Sequence, residues 1–365
     1  MGEKVRVGLI YGGRSGEHEV SLQTALAVMK AFNYDKYVIK PFYITKSGEW
    51  RAGGFLAAPP QELQELHLAD EAALQGTDAI LPLFSGLANQ QKAVDLVFPL
   101  LHGTFGEDGT IQGMLEMADI PYVGAGVLAS AVGMDKVLMK KVFAHEGLPQ
   151  CLYRYFNRLQ WEKDPAFFIM EIEIALGYPC FIKPANLGSS VGISKARDRE
   201  ELIAAINYAL RFDRKVIVEE FIDAREIEVS VLGNDEPQAS VPGEISPSND
   251  FYDYKAKYID GKSQLHIPAS LPEGTAEEIR ELAVRAFQAI DGSGLSRVDF
   301  FLHKTDGRIY INEVNTMPGF TPISMYPLMW KESGVSYAEL LDTLIELAIA
   351  RYEDKQRLDY CGDNA

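Results

Sequence analysis

The segment 297–315 contains two acidic side chains and an amide that a β-hairpin would bring together. Polar and apolar residues alternate in both halves of this segment, as they do in strands with one buried face. Residues 305–307 read as a three-residue hairpin loop whose final glycine supplies a positive φ. Counting from that loop places Asp299 opposite Glu313, with Asn315 on the same face. Two carboxylates and an amide oxygen are a ligand set that suits Mg²⁺ when it also binds phosphates, so we expect the metal to arrive with a nucleotide.

The alternative for this hairpin is a surface ribbon with solvated charges. Like charges that face each other across two strands are destabilising by roughly 0.2–1 kcal/mol unless a cation lies between them. The second strand also runs into a turn at 315–319 that exposes backbone groups. Both observations favour a bound cation.

A second candidate site follows an apolar strand that ends in Lys183. Gly188 and Gly192 free the backbone to turn its N–H groups toward an anion, and Ser189 and Ser190 add hydroxyl donors. This order of residues matches neither the Walker nor the Rossmann pattern. We interpret the segment as a phosphate-covering loop; a plain flexible connection is the alternative.

The next apolar strand ends in Glu219, and Phe221 and Ile222 follow it at a hinge. A further alternating strand begins at Glu226. An apolar strand, a hinge and an acid can form an adenosine pocket. We expect backbone groups to read the base and Glu226 to lie near the ribose.

Seven motifs, in order along the chain, resemble those of the D-alanine–D-alanine ligases of the ATP-grasp superfamily, and the resemblance runs from about residue 5 to about residue 352. They are GGRSGEHEVSL at 12–22, HGTFGEDG at 102–109, MDK at 134–136, KPANLGSSVG at 183–192, YDYKAKY at 252–258, RVD at 297–299 and EVNTMPG at 313–319. Each motif alone is weak. Their common order over nearly the whole chain identifies a family more surely than a substrate.

The resemblance implies that ATP phosphorylates one D-alanine to an acyl phosphate, which the amino group of a second D-alanine attacks. It implies Mg²⁺ or Mn²⁺, two ions with ATP, on Asp299, Glu313 and Asn315. Three lysines would neutralise the phosphates, namely Lys136, Lys183 and Lys257. The product, D-alanyl-D-alanine, is a peptidoglycan precursor.

The same resemblance assigns the amino-acid contacts. Glu17 would bind the ammonium of the first D-alanine, and His102 would lie close to its carboxylate. Ser324 would bind the carboxylate of the second, with Met325 beside it. Arg297 and the backbone N–H of Gly319 would form an oxyanion hole. Three residues would order the loop over both substrates: Glu17, Ser189 and Tyr258.

Tyr258 bears on the acceptor, because in the family a tyrosine at this position accompanies an amine acceptor. A D-alanine–D-lactate ligase and an ATP-grasp ligase of another amino-acid pair are the alternatives within the superfamily. A non-catalytic nucleotide-binding module is the alternative of a different class. Such a module could dispense with Arg297 or with one metal ligand, and this chain has both.

Composition narrows the class of partner. The chain has 365 residues, a formal charge of −17 and a pI near 4.9, which argues against nucleic acid and membrane surfaces. Its cysteines, Cys151, Cys180 and Cys361, have no metal-binding spacing and suit free thiols in a reducing compartment. With no apolar run long enough to cross a bilayer, we expect a cytoplasmic protein. The resemblance suggests a homodimer.

These motifs must be positioned by an α/β protein of the ATP-grasp class. We expect an open parallel α/β domain at 1–125, which holds the first substrate, followed by two α+β domains that clasp ATP. The central domain would span 126–215, and the C-terminal domain, with the metal site and the lid, 216–365. Residues 51–92 carry no motif and read as structural decoration.

Several elements can be located more closely. Strands are predicted at 5–11 and 96–101, and each ends in a glycine turn where open α/β sheets bind ligands. Ser21 is a candidate N-cap for a helix that runs to about Phe32. Further helices are expected at 135–147 and 336–352. The polar, tyrosine-rich segment 244–265 is predicted to be a mobile lid that excludes water from the acyl phosphate.

Overall fold

A computed structural model describes residues 4–69, 93–188, 191–246, 264–321, 323–359 and 362. Three sheets are formed by these residues. Within the described ranges, every helix is too short or too polar to cross a membrane.

The N-terminal sheet has the strand order β3-β2-β1-β4. Its strands are β1 (Val5–Gly12), β2 (Tyr37–Ile44), β3 (Trp50–Ala52) and β4 (Leu96–Leu100). β2 and β4 both run parallel to β1, so the glycine turns that follow β1 and β4 meet at one edge. The parallel strands confirm the predicted open α/β sheet. β3 pairs antiparallel with β2, so residues 50–52 extend the sheet. The segment 51–92, predicted to be structural decoration, therefore begins within a strand of this sheet.

Helices α1 (His18–Ala31) and α2 (Thr110–Met117) cover this sheet. The predicted N-cap at Ser21 is wrong, because the helix begins at His18 with Glu17 in the cap position. Ser21 is instead fully buried within the helix. Its Oγ accepts from Gly12 N at 2.7 Å and donates to Leu100 O at 2.5 Å. The hydroxyl therefore joins the helix to both glycine turns.

The central sheet has the order β5-β8-β6-β7, with antiparallel neighbours. Its strands are β5 (Tyr153–Asn157), β6 (Cys180–Pro184), β7 (Ser194–Ala196) and β8 (Lys215–Glu220). Its helices are α5 (Arg158–Lys163), α6 (Pro165–Ala175) and α7 (Arg199–Ala209). The expected domain boundary at 215/216 cuts through β8, although β8 pairs with β5 and β6.

The C-terminal sheet has the order β12-β11-β9-β13-β14, and β10 pairs with β9. Its strands are β9 (Ala224–Gly233), β10 (Gln238–Ala239), β11 (Gly243–Ser246), β12 (Gln264–His266), β13 (Gly294–His303) and β14 (Ile309–Asn315). One face packs on helices α3 (Val127–Met134), α4 (Lys136–His145) and α8 (Thr275–Ala289). We assigned α3 and α4 to the central domain, but their apolar sides are buried on this sheet. The three-part division remains a proposal, and these contacts favour a central unit at about 150–220.

Two helices close the chain, α9 (Met325–Glu332) and α10 (Tyr337–Lys355). Ser336 caps α10 in a capping box with Glu339, which agrees with the predicted start. The apolar side of α10 packs into the core of the N-terminal sheet.

Candidate active site

Two adjoining cavities lie where the three sheets meet. The first, of about 350 Å³, is lined by Glu17 and His102 from the N-terminal turns and by the 313–319 segment. The second, of about 480 Å³, lies between the central and C-terminal sheets. Glu313 lines both cavities. A group bound in one cavity can therefore reach a group bound in the other.

The β13–β14 hairpin pairs Asp299 with Glu313, as predicted, and Arg297 with Asn315. The hairpin differs from the predicted one in two places, and their effects on the register cancel. His303 N donates to Arg308 O, so the loop holds one residue more than the three we counted. The register then shifts between Asp299 and Phe300, because β14 carries a bulge that leaves Asn312 extra.

The bulge also changes which side chains face the cavities. Along β13, Val298 and Phe300 are buried in the core while Arg297 and Asp299 take the other side, as the alternation predicted. On β14 the predicted strict alternation is interrupted. Asn312 and Glu313 are consecutive and both line the second cavity.

Asp299, one of the three expected metal ligands, accepts hydrogen bonds at both of its carboxylate oxygens. Its Oδ1 accepts from Arg297 Nε at 2.7 Å, and its Oδ2 accepts from Arg297 Nη2 at 2.8 Å and from Asn315 Nδ2 at 3.0 Å. Within the described residues, no group of three or more His, Cys, Asp and Glu side chains could hold a metal. The hairpin offers two facing carboxylates and one amide, and Asp299 Oδ1 keeps acceptor capacity beyond its bond from Arg297. This all-oxygen set fits Mg²⁺ or Mn²⁺.

Arg297 is held by a second carboxylate that the sequence analysis missed. Glu228 on β9 is the cross-strand neighbour of Asp299, and its Oε2 lies 3.0 Å from Arg297 Nε. Burial opposes the charge on Arg297, but Asp299 and Glu228 outweigh it and raise the arginine pKa well above its ordinary value. Its guanidinium stays charged and fixed at the wall of the first cavity.

Two of the predicted lysines point toward the hairpin. Lys136 begins α4, and its Nζ donates to Leu187 O at 3.0 Å and lies 3.3 Å from Glu313 Oε2. Lys183 is the next-to-last residue of β6, and its Nζ lies 3.4 Å from Asn312 Oδ1 on the hairpin and 2.6 Å from Glu219 Oε2. Both lysines are buried, and one comes from α4 while the other comes from β6, so folding brings them to the same site.

The residues predicted to form an adenosine pocket line the second cavity. Phe221, Ile222 and Glu226 line it together with Phe181. Residues 221–223 form an irregular hinge between β8 and β9. The Lys195 Nζ lies 4.1 Å from the centre of the Phe221 ring. An aromatic wall, open backbone and an acid suit a base and its ribose.

Glu17 is buried at the start of α1, where two glycine loops converge on it. A Cβ added at Gly103 would lie 2.7 Å from Glu17 Oε2, and one at Gly188 would lie 3.1 Å from it. Gly103 also has φ +73°, a value that side-chain-bearing residues rarely adopt. Both its backbone conformation and its contact therefore favour glycine at 103, whereas a side chain at 188 would need the Glu17 carboxylate to give by a few tenths of an ångström.

His102 is buried behind Glu17, and its ring is fixed at both nitrogens. Nδ1 lies 3.1 Å from the carbonyl of Met317 and 3.6 Å from Glu107 Oε1, while Nε2 lies 3.1 Å from Thr24 Oγ1. A carbonyl can only accept, so Nδ1 carries a proton. Burial disfavours the charged ring, but Glu107 favours it more and the pKa of His102 is raised.

Ser324 and Gly319 lie together on the opposite wall of the first cavity. A Cβ at Gly319 would lie 3.0 Å from Ser324 Oγ. That hydroxyl accepts from Thr321 N at 3.0 Å and pairs with the Thr321 hydroxyl at 2.7 Å. Met325 also lines the cavity, but it is mostly buried against Ile245.

Family models match the chain over most of its length. Residues 6–125 match the model described as D-ala D-ala ligase N-terminus, and residues 142–346 match the one described as D-ala D-ala ligase C-terminus. The chain belongs to the D-alanine–D-alanine ligase family.

Individual members of the D-alanine–D-alanine ligase family agree with this over nearly full length. The D-alanine–D-alanine ligase of Bacillus licheniformis is 57% identical over 360 residues, which cover 98% of this chain and 99% of the relative. That of Bacillus cytotoxicus is 55% identical over 361 residues, with the same coverage.

Solved structures confirm the ATP-grasp fold of the D-alanine–D-alanine ligases. The D-alanine–D-alanine ligase of Coxiella burnetii has a TM-score of 0.81 at 33% identity and covers 98% of this chain and 97% of its own. The VanG D-Ala:D-Ser ligase of Enterococcus faecalis has a TM-score of 0.82 at 39% identity and covers 95% of this chain and 100% of its own.

Some of the residues expected from ligase motifs lie outside the described residues. They are Ser189, Ser190, Lys257 and Tyr258, and Cys361 lies outside as well. The predicted lid at 244–265 is described only at its ends. There Glu244 pairs with His266 and Ile245 with Leu265, so both ends belong to strands of the C-terminal sheet.

Proposed function

We propose that this protein joins two molecules of D-alanine into D-alanyl-D-alanine, converting ATP to ADP and phosphate. The observation that carries the proposal is Glu313, which lines both cavities beside Lys136, Arg297 and Asp299. A triphosphate in the second cavity would meet an amino-acid carboxylate in the first. The dipeptide serves peptidoglycan synthesis.

The reaction needs ATP because a carboxylate is a poor electrophile. A carboxylate oxygen of the first D-alanine attacks the γ-phosphorus, the bond to the β-phosphate oxygen breaks, and ADP leaves. The amine of the second D-alanine, after losing one proton, attacks the acyl carbon. The tetrahedral intermediate then expels phosphate and forms the peptide bond.

The hairpin residues and lysines would hold the phosphates. Asp299, Glu313 and Asn315 would bind Mg²⁺ or Mn²⁺, and the metal would supply positive charge for the phosphate oxygens. Lys136 and Lys183 would also neutralise the phosphate oxygens with their ammonium groups. Lys136 lies beside Glu313 and Lys183 beside Glu219. Lys257 would join them.

The first cavity would hold the amino acids. Glu17 would bind the ammonium of the first D-alanine, and His102, whose pKa is raised, would favour its carboxylate. The hydroxyl of Ser324 would bind the carboxylate of the second. Arg297 and the Gly319 N–H would stabilise the tetrahedral oxyanion, because both residues line this cavity.

The acceptor is the open point among family members. The VanG relative is named a D-Ala:D-Ser ligase, whereas the Bacillus relatives are D-alanine–D-alanine ligases. We propose D-alanine because those relatives share more of the sequence. Whether D-lactate can serve as the acceptor depends on Tyr258, which lies outside the described residues.

The test is a product assay with purified protein, ATP, Mg²⁺ and either D-alanine alone or D-alanine with excess D-serine or D-lactate. Mass spectrometry should find D-alanyl-D-alanine as the main product, with one phosphate released per dipeptide. Glu17→Gln should lose most activity, while Glu19→Gln, an exposed neighbour on the same helix, should keep it. ATP hydrolysis without any dipeptide would overturn the proposal.

We also propose a cytoplasmic homodimer. Sedimentation equilibrium should give a mass near twice the 40.5 kDa of one chain. A monomer at all protein concentrations would contradict this.

A further inference from the structure

A fully buried lysine lies behind the nucleotide cavity and has no role in the function proposed above. Lys140 is 1% exposed, one helical turn after Lys136 on α4. Its Nζ lies 2.9 Å from Glu219 Oε1, while Lys183 Nζ lies 2.6 Å from Glu219 Oε2. One buried carboxylate thus binds two ammonium groups, one at each oxygen.

The three side chains differ in their access to the cavity. Lys183 and Glu219 line the second cavity, whereas Lys140 does not belong to the lining of either cavity described above. Its remaining neighbours are the Cys151 Sγ at 3.5 Å and the Tyr153 ring at 5.7 Å. The contact that joins Lys140 to the lining of the second cavity is its ion pair with Glu219.

The triad holds two positive charges against one negative charge. Burial opposes ionisation of Glu219, but the two lysines together lower its pKa to about 2, so it is a carboxylate at neutral pH. Burial also raises the pKa of the Cys151 thiol to about 11, so the thiol adds no negative charge. Without Lys140, the charge of Glu219 would be balanced by Lys183 alone.

A buried ammonium is costly to desolvate, by several kcal/mol per ion in general. A methionine would fill this position without that cost, and Lys141, the next residue, is exposed at the surface. A charged side chain at position 140, where an apolar one would cost less, therefore indicates that the charge has a function.

We propose that Lys140 is a positioning residue for nucleotide binding. By occupying one oxygen of Glu219, it fixes that carboxylate and leaves Lys183 with surplus positive charge for the phosphate groups of ATP. The inference rests on the proposed function only in taking ATP as the ligand of the second cavity.

The inference predicts a selective loss of phosphate recognition. Lys140→Met should weaken binding of ATP with Mg²⁺ at least 10-fold, while the affinity for adenosine, which has no phosphates, should change less than 2-fold. Lys141→Met is the matched control on the same helix and should leave both unchanged. Binding is measured by calorimetry for ATP and by displacement of a fluorescent nucleotide for adenosine, after thermal denaturation has shown that each variant folds.

A second comparison tests whether Lys140 acts through Glu219. In a Glu219→Gln background the carboxylate charge is gone, so adding Lys140→Met should change ATP binding less than 2-fold. If Lys140→Met alone does not fold, Lys140→Gln carries the first comparison, since it keeps a hydrogen-bond donor but no charge.

Two results would overturn the inference. One is an equal loss of ATP and adenosine affinity, which is what a merely structural role gives. The other is an undiminished effect of Lys140→Met in the Glu219→Gln background. Failure of the proposed ligase activity is separate, because it would appear as normal ATP binding by the unaltered protein without dipeptide formation.

Discussion

Gly103→Ala should selectively damage binding of the first D-alanine. The added Cβ would lie 2.7 Å from Glu17 Oε2, and ordinary contact begins near 3.4 Å, so the carboxylate must move by about 0.7 Å. A charge-assisted hydrogen bond is worth about 1.5–3 kcal/mol, and a shift of this size disrupts it. We therefore expect the KM of the first D-alanine site to rise roughly 10- to 100-fold.

The substitution also places alanine at φ +73°, which costs about 1–2 kcal/mol in general. Gly147→Ala separates this strain from the clash, because Gly147 has φ +66° and a Cβ added there would meet nothing within 4 Å. Both variants should lose similar thermal stability. Initial rates over a wide D-alanine range, fitted to two sequential sites, give the KM values. Equal KM values in the two variants would refute the reasoning.

Three further results follow from the site. Arg297→Lys should lower kcat about 100-fold or more, because lysine cannot make the two-point contact with Asp299. Arg308→Lys, at an exposed arginine, should leave kcat unchanged. Single-turnover rates that do not differ between the two variants would contradict this. Asp299→Asn should raise the Mg²⁺ concentration for half-maximal activity about 10-fold or more, and an unchanged Mg²⁺ titration would exclude this aspartate as a ligand. Glu219 has a folded pKa of about 2 against 4.5 ordinarily, so its stabilising effect is present above about pH 4.5 and is lost as pH falls toward 2. Urea unfolding between pH 6 and pH 3 should therefore show a shallower loss of stability in Glu219→Gln than in the unaltered protein, and parallel curves would disprove the linkage.

The sequence predicted the β13–β14 hairpin more securely than its details. Polarity alternation identified the faces of β13, and the glycine at 307 identified the turn. The loop length and the bulge at Asn312 could not be predicted from the sequence. Both depend on which backbone N–H and C=O groups pair between the two strands. The predicted pairing of Asp299 with Glu313 is correct because the longer loop and the bulge shift the register by one residue in opposite directions.

The residues that were missed reach the site from separate elements. Glu228 lies two positions after Glu226 on β9, so the alternation already placed it on the same face. Lys140 follows Lys136 by one helical turn, which is also a readable spacing. Thr24 carries no such signal, because only the packing of α1 behind His102 brings its hydroxyl to the ring.

Ser21 shows why local rules fail at a functional turn. Serine before an apolar helix is a common N-cap, but here the hydroxyl is needed between Gly12 N and Leu100 O. The tertiary partners override the local preference, and the helix begins four residues earlier.

The packing of α10 against the N-terminal sheet has a consequence for biosynthesis. Leu340, Leu344 and Ile345 share a core with Val7 and Leu9, and Asp342 accepts hydrogen bonds from Lys36 at 2.5 Å and Tyr37 at 2.8 Å. The opening strands leave the ribosome more than 300 residues before these partners. Until the ribosome has passed residue 345, the nascent chain exposes an apolar sheet face, and chains released before that point would be aggregation-prone.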